Sequence, residues 1–329
     1  MKSKPKLLVI IGPTASGKSD LAVELAKKFN GEIISADSRQ VYRGMDIGTG
    51  KVSRDANRKS QMANGYYYKG VPHHLLDVAS PKRRFTVAQY KKLAQKAIKK
   101  ILVKGKIPII CGGTGFYIQA VTENLEIPAV KPDLKLRAGL EKKSARELFG
   151  QLKKLDSNRA KNIDRYNRRR LIRALEIIYK TGKPVPTLVI PAKAGIQTSE
   201  LGFRAKPGMT DTNHFDALFL GIKKSPAELK KLIAARLQKR LKQGMIEEVK
   251  NLRQDGISWK KLDDFGLEYR WIAKHLQKQI SRKVMISRLQ KEIEHFAKRQ
   301  MTWFRKNKQI NWIKNKTELQ RIIKKFFKK

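Results

Sequence analysis

The segment "VIIGPTASGKSDLA", at residues 9–22, constrains the fold of this chain more than any other. Its centre, "GPTASGKS" at residues 12–19, fits the pattern G-x-x-x-x-G-K-[ST] in full. The apolar run "KLLVII" at residues 6–11 predicts a buried parallel strand before the loop. Apolar residues at helical spacing predict a helix from about Gly17 onward. A strand, a glycine loop and a helix in this order predict a di- or triphosphate site.

The residue types of this loop indicate how it would hold phosphate. Gly12 and Gly17 let the backbone wrap closely, so that successive N–H groups and the helix N-terminus face an anion. Lys18 adds a positive charge, and Ser19 can bind Mg²⁺ as the metal ligand. Whether the phosphate is transferred, hydrolysed or expelled stays open at this point. The predicted phosphate-binding residues are Gly12, Pro13, Thr14, Ala15, Ser16, Gly17, Lys18 and Ser19.

The rest of the chain alternates short apolar runs with helical patterns. Further strands are predicted at residues 32–38, 106–115, 216–223 and 310–313. Alternation of this kind predicts an α/β fold, a P-loop NTPase-like parallel sheet flanked by helices.

The character of the sequence changes after the strand predicted at residues 106–115. Residues 123–186 are charged and helical in pattern without a clear strand, which predicts an inserted all-helical module in a core formed by residues 1–122 and 214–329. Residues 187–213 lack a sustained period and predict a mobile loop insertion. The tail "KKFFKK" is expected to be a frayed end.

The charge of the chain points to a polyanionic partner. Lysine and arginine number 74 against 28 aspartate and glutamate, a formal net charge of +46. Such an excess repels itself unless a polyanion is nearby, so nucleic acid is the expected partner. Charge alone leaves open that the lysines only solubilise the surface.

The cysteine and histidine content excludes several kinds of site. Cys111 is the only cysteine, so neither an intrachain disulfide nor a thiolate metal cluster can form, which favours a reducing compartment. The five histidines lack the i, i+4 spacing of a helical metal site. No stretch approaches the ~20 apolar residues of a membrane span. We therefore expect a cytoplasmic protein without a membrane partner.

Asp37 lies at the carboxyl end of the second predicted strand, at the edge where ligands of open α/β sheets bind. A carboxylate there can contribute to a metal shell or act as a base on an incoming nucleophile. By position alone, a role in capping a helix or a turn is equally open.

Six segments together resemble, in order, the tRNA dimethylallyltransferase (tRNA isopentenyltransferase) family: "GPTASGKSDLA", "ISADSRQVYRGMDIGTGK", "GVPHHLLDV", "IPIICGGTGFYI", "RRRLIRALEI" and "KRQMTWFR". The resemblance spans nearly the whole chain. It implies transfer of a dimethylallyl group from dimethylallyl diphosphate to N6 of adenosine 37, beside the anticodon, in tRNAs that read codons beginning with U. Diphosphate is released, and Mg²⁺ is the implied cofactor. The acting form is expected to be a monomer.

The resemblance also assigns catalytic roles. Asp37 matches the family's general base, Thr114 the threonine near the diphosphate and the substrate base, and Arg236 an arginine that neutralises diphosphate. From position alone, Thr114 could be a strand-end turn residue and Arg236 part of a solvated helix face. A neighbouring family arginine corresponds here to Leu232, which weakens the predicted anion clamp.

Three segments match tRNA-contacting parts of the family, which implies binding of the anticodon stem-loop. They lie directly after Asp37, at the arginine cluster of the inserted module and near the C-terminus. Two of them have a plainer alternative: the arginine segment could be a solvated basic helix face, and Trp303 or Phe304 could belong to the core. The family commonly shows a Gly-Tyr pair where this chain has "FGLEYR" at residues 265–270, and this departure at Leu267 and Glu268 weakens the prediction of tRNA contacts near Gly266. The implied tRNA-binding residues are Asp37, Ser38, Arg39, Gln40, Thr114, Arg169, Arg170, Leu171, Ile172, Arg173, Lys298, Arg299 and Gln300.

Two other functions share parts of this pattern. A P-loop kinase of a nucleoside or small metabolite has the same loop and would produce ADP. A nucleic-acid-binding ATPase would turn over ATP in response to RNA without modifying the RNA.

Overall fold

The chain folds into two compact units. The computed structural model describes residues 4–55, 65–185 and 215–328. One unit combines Met1–Asn124 with Asn213–Lys329, and the other is Leu125–Thr212. The predicted loop insertion at 187–213 lies outside the described residues.

The first unit contains a seven-stranded sheet. Its spatial order is β3-β4-β2-β5-β1-β6-β7, and every neighbouring pair is parallel except the antiparallel β3–β4 pair. The predicted α/β class with a mostly parallel sheet is confirmed. The strands are β1 (Lys6–Ile11), β2 (Gly31–Ala36), β3 (Tyr66–Tyr68), β4 (Val71–His74), β5 (Ile107–Gly112), β6 (Asp216–Ile222) and β7 (Asn311–Ile313).

Thirteen helices accompany the sheet in the described residues. Helices α4 to α7 form the second unit, and the others belong to the first. They are α1 (Lys18–Lys28), α2 (Val87–Val103), α3 (Gly115–Thr122), α4 (Leu134–Leu140), α5 (Ala145–Leu155), α6 (Ser157–Lys161), α7 (Arg168–Thr181), α8 (Pro226–Lys242), α9 (Met245–Gln254), α10 (Trp259–Phe265), α11 (Leu267–Leu276), α12 (Arg282–Phe304) and α13 (Lys316–Lys328). In the part of the chain that is described, none of these helices has the length and apolar character needed to cross a bilayer.

Both faces of the sheet are buried. Along β1, Leu7 and Val9 belong to one hydrophobic core, while Leu8 and Ile10 belong to the core on the opposite face. Successive strand residues point to opposite faces, so a strand covered on both sides needs a continuous apolar run. This is why "KLLVII" shows no alternation.

The short hairpin of β3 and β4 was not predicted from the sequence. Its turn is formed by Lys69 and Gly70, both with positive φ (51° and 78°), as a two-residue hairpin loop of type I′ requires. Strand β4 then pairs in parallel with β2 and extends the sheet.

The expectation of a frayed C-terminal tail was wrong. Helix α13 continues to Lys328, with Phe326 buried and Phe327 stacked on Phe29 at 4.7 Å between ring centroids. The Lys6 ammonium donates to the Phe326 carbonyl at 2.9 Å. Leu319, Ile323 and Phe326 share one helix face, so the tail contributes apolar side chains to the core while its lysines stay outside.

The second unit has a core of its own. Leu148, Leu152, Leu171 and Leu175 are fully buried there. Each of its helices begins at a side-chain cap, such as the capping box of Ser144 and Glu147 at α5.

Candidate active site

The glycine loop connects β1 to α1 at the carboxyl edge of the sheet. Gly17 has a φ of 88° and Ala15 a φ of 61°, a left-handed conformation uncommon for a residue with a side chain. Left-handed residues in such a turn direct successive N–H groups toward one point. The Lys18 ammonium bends back over the loop and donates to the Pro13 carbonyl at 3.3 Å. The loop therefore has the form of an anion cradle.

The surroundings of Lys18 are electrostatically unusual. Burial lowers the pKa of its ammonium, and the guanidinium of Arg236 acts in the same direction, whereas Cys111 and Asp37 oppose them. Burial raises the pKa of the Cys111 thiol to about 11, so this cysteine is a neutral core residue at physiological pH.

Asp37 and Thr114 lie together at the ends of adjacent strands. The Asp37 Oδ1 atom accepts a hydrogen bond from the Arg39 amide at 2.9 Å and a longer one from Gln40 at 3.4 Å. The Thr114 hydroxyl accepts from the Ser38 amide at 3.0 Å. Asp37 thus heads a turn and caps no helix. Among the described residues, its Oδ2 atom has no hydrogen-bond partner.

Gln40 and Ser38 are held by this same turn. The Gln40 amide group accepts from the Ser35 hydroxyl at 3.1 Å and donates to the Gly50 carbonyl at 3.2 Å. The Ser38 hydroxyl accepts from Thr114 at 3.4 Å. Both side chains therefore have partners within the chain, and their predicted tRNA contacts stay predictions.

Arg236 faces the glycine loop from helix α8. Its Nη1 atom donates to the Thr14 hydroxyl at 3.3 Å. Burial lowers the pKa of Arg236 to about 10, and the neighbouring Arg240 adds repulsion. Arg236 is thus half-buried and contacts the glycine loop. The alternative that it belongs to a solvated helix face does not hold.

Glu268 was missed as a site residue by the sequence analysis. It is 2% exposed and accepts from Arg39 Nη1 at 2.5 Å and from Arg240 Nη1 at 3.2 Å. Burial alone would lower the pKa of Arg39, but the carboxylates of Glu268 and Asp37 overcome this and raise it. The segment "FGLEYR" thus supplies the carboxylate that orients two arginines. From the sequence, Leu267 and Glu268 are recognisable only as a departure from the Gly-Tyr pair of the family.

The loop at residues 46–51 is fixed by a second unpredicted carboxylate. Glu248 accepts from the amides of Asp46, Ile47 and Gly48 at 2.6–3.0 Å, and its Oε1 atom also accepts from the Tyr269 hydroxyl at 2.8 Å. A carboxylate that receives several backbone N–H bonds holds a loop firmly.

The other side of this loop is fixed by a buried lysine. The Lys51 ammonium donates to the Tyr42 carbonyl at 2.9 Å and pairs with Asp46 and Asp77. A lysine this deep requires such partners.

Gln300 bridges the two glycine-rich segments. Its Oε1 atom accepts from the Thr14 amide at 2.8 Å and its Nε2 atom donates to the Gly113 carbonyl at 3.0 Å. The side chain is buried, whereas Lys298 and Arg299 are exposed. Gln300, a predicted tRNA contact, therefore belongs to the framework of the glycine loop. Its side-chain amide is already hydrogen-bonded within the chain.

The aromatic residues after Gln300 differ from each other in environment. Phe304 is buried in the core, but Trp303 is 38% exposed. The Trp303 ring packs edge-on against Phe116 at 6.5 Å between centroids and covers Gly115. Trp303 thus has the exposure that stacking on a base requires.

The predicted arginine segment belongs to the second unit. Leu171 and Ile172 are buried in its core, whereas Arg169 and Arg170 are exposed on α7. Arg173 is half-buried, bonded to Glu176 at 2.5 Å and to the Val130 carbonyl at 2.9 Å. Arg169 and Arg170 are thus the solvent-exposed arginines of the predicted tRNA-contacting segment.

The donors at the loop fit a Mg²⁺ ion that arrives with phosphate. In the described residues no group of three or more His, Cys, Asp and Glu side chains is arranged to hold a metal. Mg²⁺ takes oxygen ligands and binds through few side chains together with substrate phosphates and water. The half-buried Ser19 hydroxyl, next to Lys18 at the start of α1, is such an oxygen donor.

Two family profiles match the sequence. The one described as "IPP transferase" covers residues 40–307, and the one described as "Isopentenyl transferase" covers residues 5–67. A tRNA dimethylallyltransferase of Pelotomaculum thermopropionicum is 39% identical over 314 residues, 94% of this chain and 91% of that protein. A tRNA dimethylallyltransferase 2 of Pelobacter propionicus is 39% identical over 313 residues, 93% of this chain and 89% of that protein.

Solved structures resemble this fold throughout. The tRNA isopentenylpyrophosphate transferase of Bacillus halodurans is 32% identical with a TM-score of 0.64, over 98% of this chain and 95% of that one. A eukaryotic dimethylallyltransferase described as acting on tRNA is 27% identical with a TM-score of 0.69, over 91% of this chain and 70% of that one.

Proposed function

This chain belongs to the tRNA dimethylallyltransferase family, and we propose that it takes its dimethylallyl group from dimethylallyl diphosphate. The chain is a transferase that places this group on tRNA. We propose N6 of adenosine 37 as the acceptor, in tRNAs that read codons beginning with U. Diphosphate is the other product.

The observation that carries this proposal is the anion cradle beside a carboxylate. Charge develops on the leaving diphosphate as the bond to the allylic carbon breaks. The loop amides, Lys18 and Arg236 meet at the place where that charge would be stabilised. The loop thus holds a leaving group.

Asp37 is the proposed general base. N6 of adenine must lose a proton when it bonds to the allylic carbon. The Asp37 carboxylate is fixed through Oδ1 by the turn at Arg39, so Oδ2 is the oxygen positioned to receive that proton. Thr114, bonded to the same turn, would orient the base beside it.

Ser19 would hold a Mg²⁺ ion against the diphosphate oxygens. When bound, such an ion supplies positive charge at the leaving group. The chain's own contribution is the cradle of amides and cations around it.

The adenosine must leave the anticodon stack to reach this site. Enzymes that modify a base act on an unstacked nucleotide, and a single-stranded loop makes this inexpensive. Arg39, Trp303 and the exposed Lys298 and Arg299 offer the basic and aromatic side chains that bind an RNA loop. The exposed Arg169 and Arg170 would bind phosphates of the stem.

The reaction would take place in the cytoplasm with a monomeric enzyme. Support comes from the first unit, whose own residues supply the cradle, the base and the arginines. Cys111 is the single cysteine of the sequence, so no intrachain disulfide can form, which suits a reducing compartment.

Mass spectrometry of modified tRNA tests the proposal. The chain is incubated with dimethylallyl diphosphate and two anticodon stem-loops that differ only in adenosine or guanosine at position 37. We expect isopentenyladenosine in the digest of the first and no modified nucleoside in the second. Modification of both, or of neither, would contradict the proposed acceptor. A kinase would instead yield ADP from ATP, and an RNA-stimulated ATPase would leave the RNA unmodified.

A further inference from the structure

Arg240 is a buried cation with an unused hydrogen-bonding group. It is 8% exposed, and its Nη1 atom donates to Glu268 at 3.2 Å and to the Gly48 carbonyl at 3.3 Å. Its Nη2 atom is buried without a hydrogen-bond partner among the described residues. Buried guanidinium donors are normally paired, because an unmet donor costs the desolvation of that group.

The unpaired group lies beside Arg236. The two arginines are four residues apart on α8 and therefore share one helix face. A Cβ atom added to Gly50 would lie 1.6 Å from Arg240 Nη2 and 2.0 Å from Arg236 Nη2. Both Nη2 atoms thus converge on the space beside Gly50, which they can occupy because a glycine, here with a φ of 64°, has no side chain there.

The same pair is joined to the glycine loop. Arg236 donates to Thr14 of the loop, and both arginines lower the pKa of Lys18 by repulsion. Burial lowers the pKa of Arg240 itself, and Arg39 adds repulsion. Within this cluster, the four cations Lys18, Arg39, Arg236 and Arg240 face the two carboxylates of Asp37 and Glu268. The cluster therefore carries an excess of positive charge, which a site for a multiply charged anion requires.

We propose that Arg240 is a second diphosphate-binding arginine, which together with Arg236 clamps the diphosphate group of the prenyl donor. The resemblance pointed to a partner for Arg236 at position 232, where this chain has an exposed leucine. Arg240 lies one turn away in the other direction and is oriented by Glu268. Two guanidinium groups bind phosphate oxygens through several directed N–H bonds, which suits a diphosphate better than a monophosphate. This inference rests on the proposed function.

Binding of inorganic diphosphate by the full chain tests the role. Its dissociation constant is measured by titration calorimetry for the wild type, for Arg240→Gln and for Lys239→Gln, which removes an exposed charge from the neighbouring position of α8. Loss of a charge-assisted contact should weaken diphosphate binding about 10- to 100-fold in Arg240→Gln. The Lys239→Gln control should change it by less than about twofold. The KM for dimethylallyl diphosphate should rise in parallel while the affinity for tRNA stays unchanged.

Two results separate this inference from the proposed function. Wild-type protein that fails to bind diphosphate would overturn both. Normal diphosphate binding by Arg240→Gln, or weakened tRNA binding in its place, would overturn only the role of Arg240. Arg240→Lys covers the case in which the glutamine variant does not fold, since it keeps the charge facing Glu268. It should bind diphosphate less tightly than the wild type, and equal binding would again overturn the role.

Discussion

At the scale of single residues, the proposed reaction depends most on Asp37. Its Oδ1 atom belongs to the turn that also positions Arg39, so the carboxylate is fixed before any substrate arrives. A general base held in this way needs no reorganisation when the proton is transferred.

We predict that Asp37→Asn slows dimethylallyl transfer about 10²- to 10⁴-fold, because an amide keeps the turn but accepts no proton. The affinity for tRNA should stay close to that of the wild type. Single-turnover transfer and a filter-binding assay measure the two quantities on the same preparation. Transfer at the wild-type rate would assign Asp37 to another role.

Some site residues follow from the sequence and others do not. Asp37 and Thr114 were expected near each other, since parallel strands bring their carboxyl ends to one edge of the sheet. Glu268 meets Arg39 across a separation of 229 residues, and nothing in the spacing of either residue indicates that contact. Arg240 lies four residues after Arg236, a spacing that places both side chains on one face of a helix. That spacing indicates a shared site only once α8 is known to face the glycine loop.

At the scale of elements, the sheet is stabilised by charges at the edge opposite the glycine loop. Glu32 of β2 is fully buried and bonds to His74 of β4 at 2.7 Å and to Lys104 and Lys106 at 3.0 Å. Burial alone would raise the pKa of Glu32, but these partners lower it to about 2. The cluster ties β2 to β4 and to the segment that leads into β5.

We predict that Glu32→Gln lowers the free energy of unfolding at pH 7 by about 3 kcal/mol. The folded-state pKa lies below the unfolded value of 4.5, so this stability is present above pH 4.5 and is lost as the pH falls through about 2. Urea unfolding from pH 7 to pH 2 should show the difference shrinking below pH 4.5. Glu24→Gln, at an exposed position of α1, should change stability by less than about 0.5 kcal/mol. A difference that is the same at every pH would contradict this account of Glu32.

The elements were predictable where local pattern and tertiary environment agree. The β1 strand, the glycine loop and α1 are one continuous unit, and the sequence pattern located all three. The β3–β4 hairpin was missed because its turn uses Lys69 with positive φ, which the residue type does not announce. Helix α13 was missed because lysines obscured the spacing of Leu319, Ile323 and Phe326, whose burial depends on the distant strand β1.

At the scale of the whole molecule, the charge of +46 should act through tRNA phosphates. Each neutralised phosphate releases counterions, so the logarithm of affinity falls linearly with the logarithm of salt concentration. The positive residues of both units contribute to this slope if they contact RNA.

We predict that the double substitution Arg169→Ala with Arg170→Ala flattens the salt slope of tRNA binding by roughly one to two units. The matched control is Lys153→Ala with Lys154→Ala, which removes the same charge from an exposed position of α5 in the same unit. It should leave the slope unchanged. Equal flattening in both variants would mean that the second unit binds tRNA by general charge, without a defined contact at α7.

The glycine loop is proposed to hold a leaving diphosphate, and the stoichiometry of the reaction is the decisive measurement of that role. Dimethylallyl diphosphate and tRNA are supplied together with ATP, and diphosphate, ADP and isopentenyladenosine are quantified in one reaction. We predict one diphosphate released for each isopentenyladenosine formed, with ATP unchanged. Production of ADP without a modified base, or modified base without equivalent diphosphate, would contradict it.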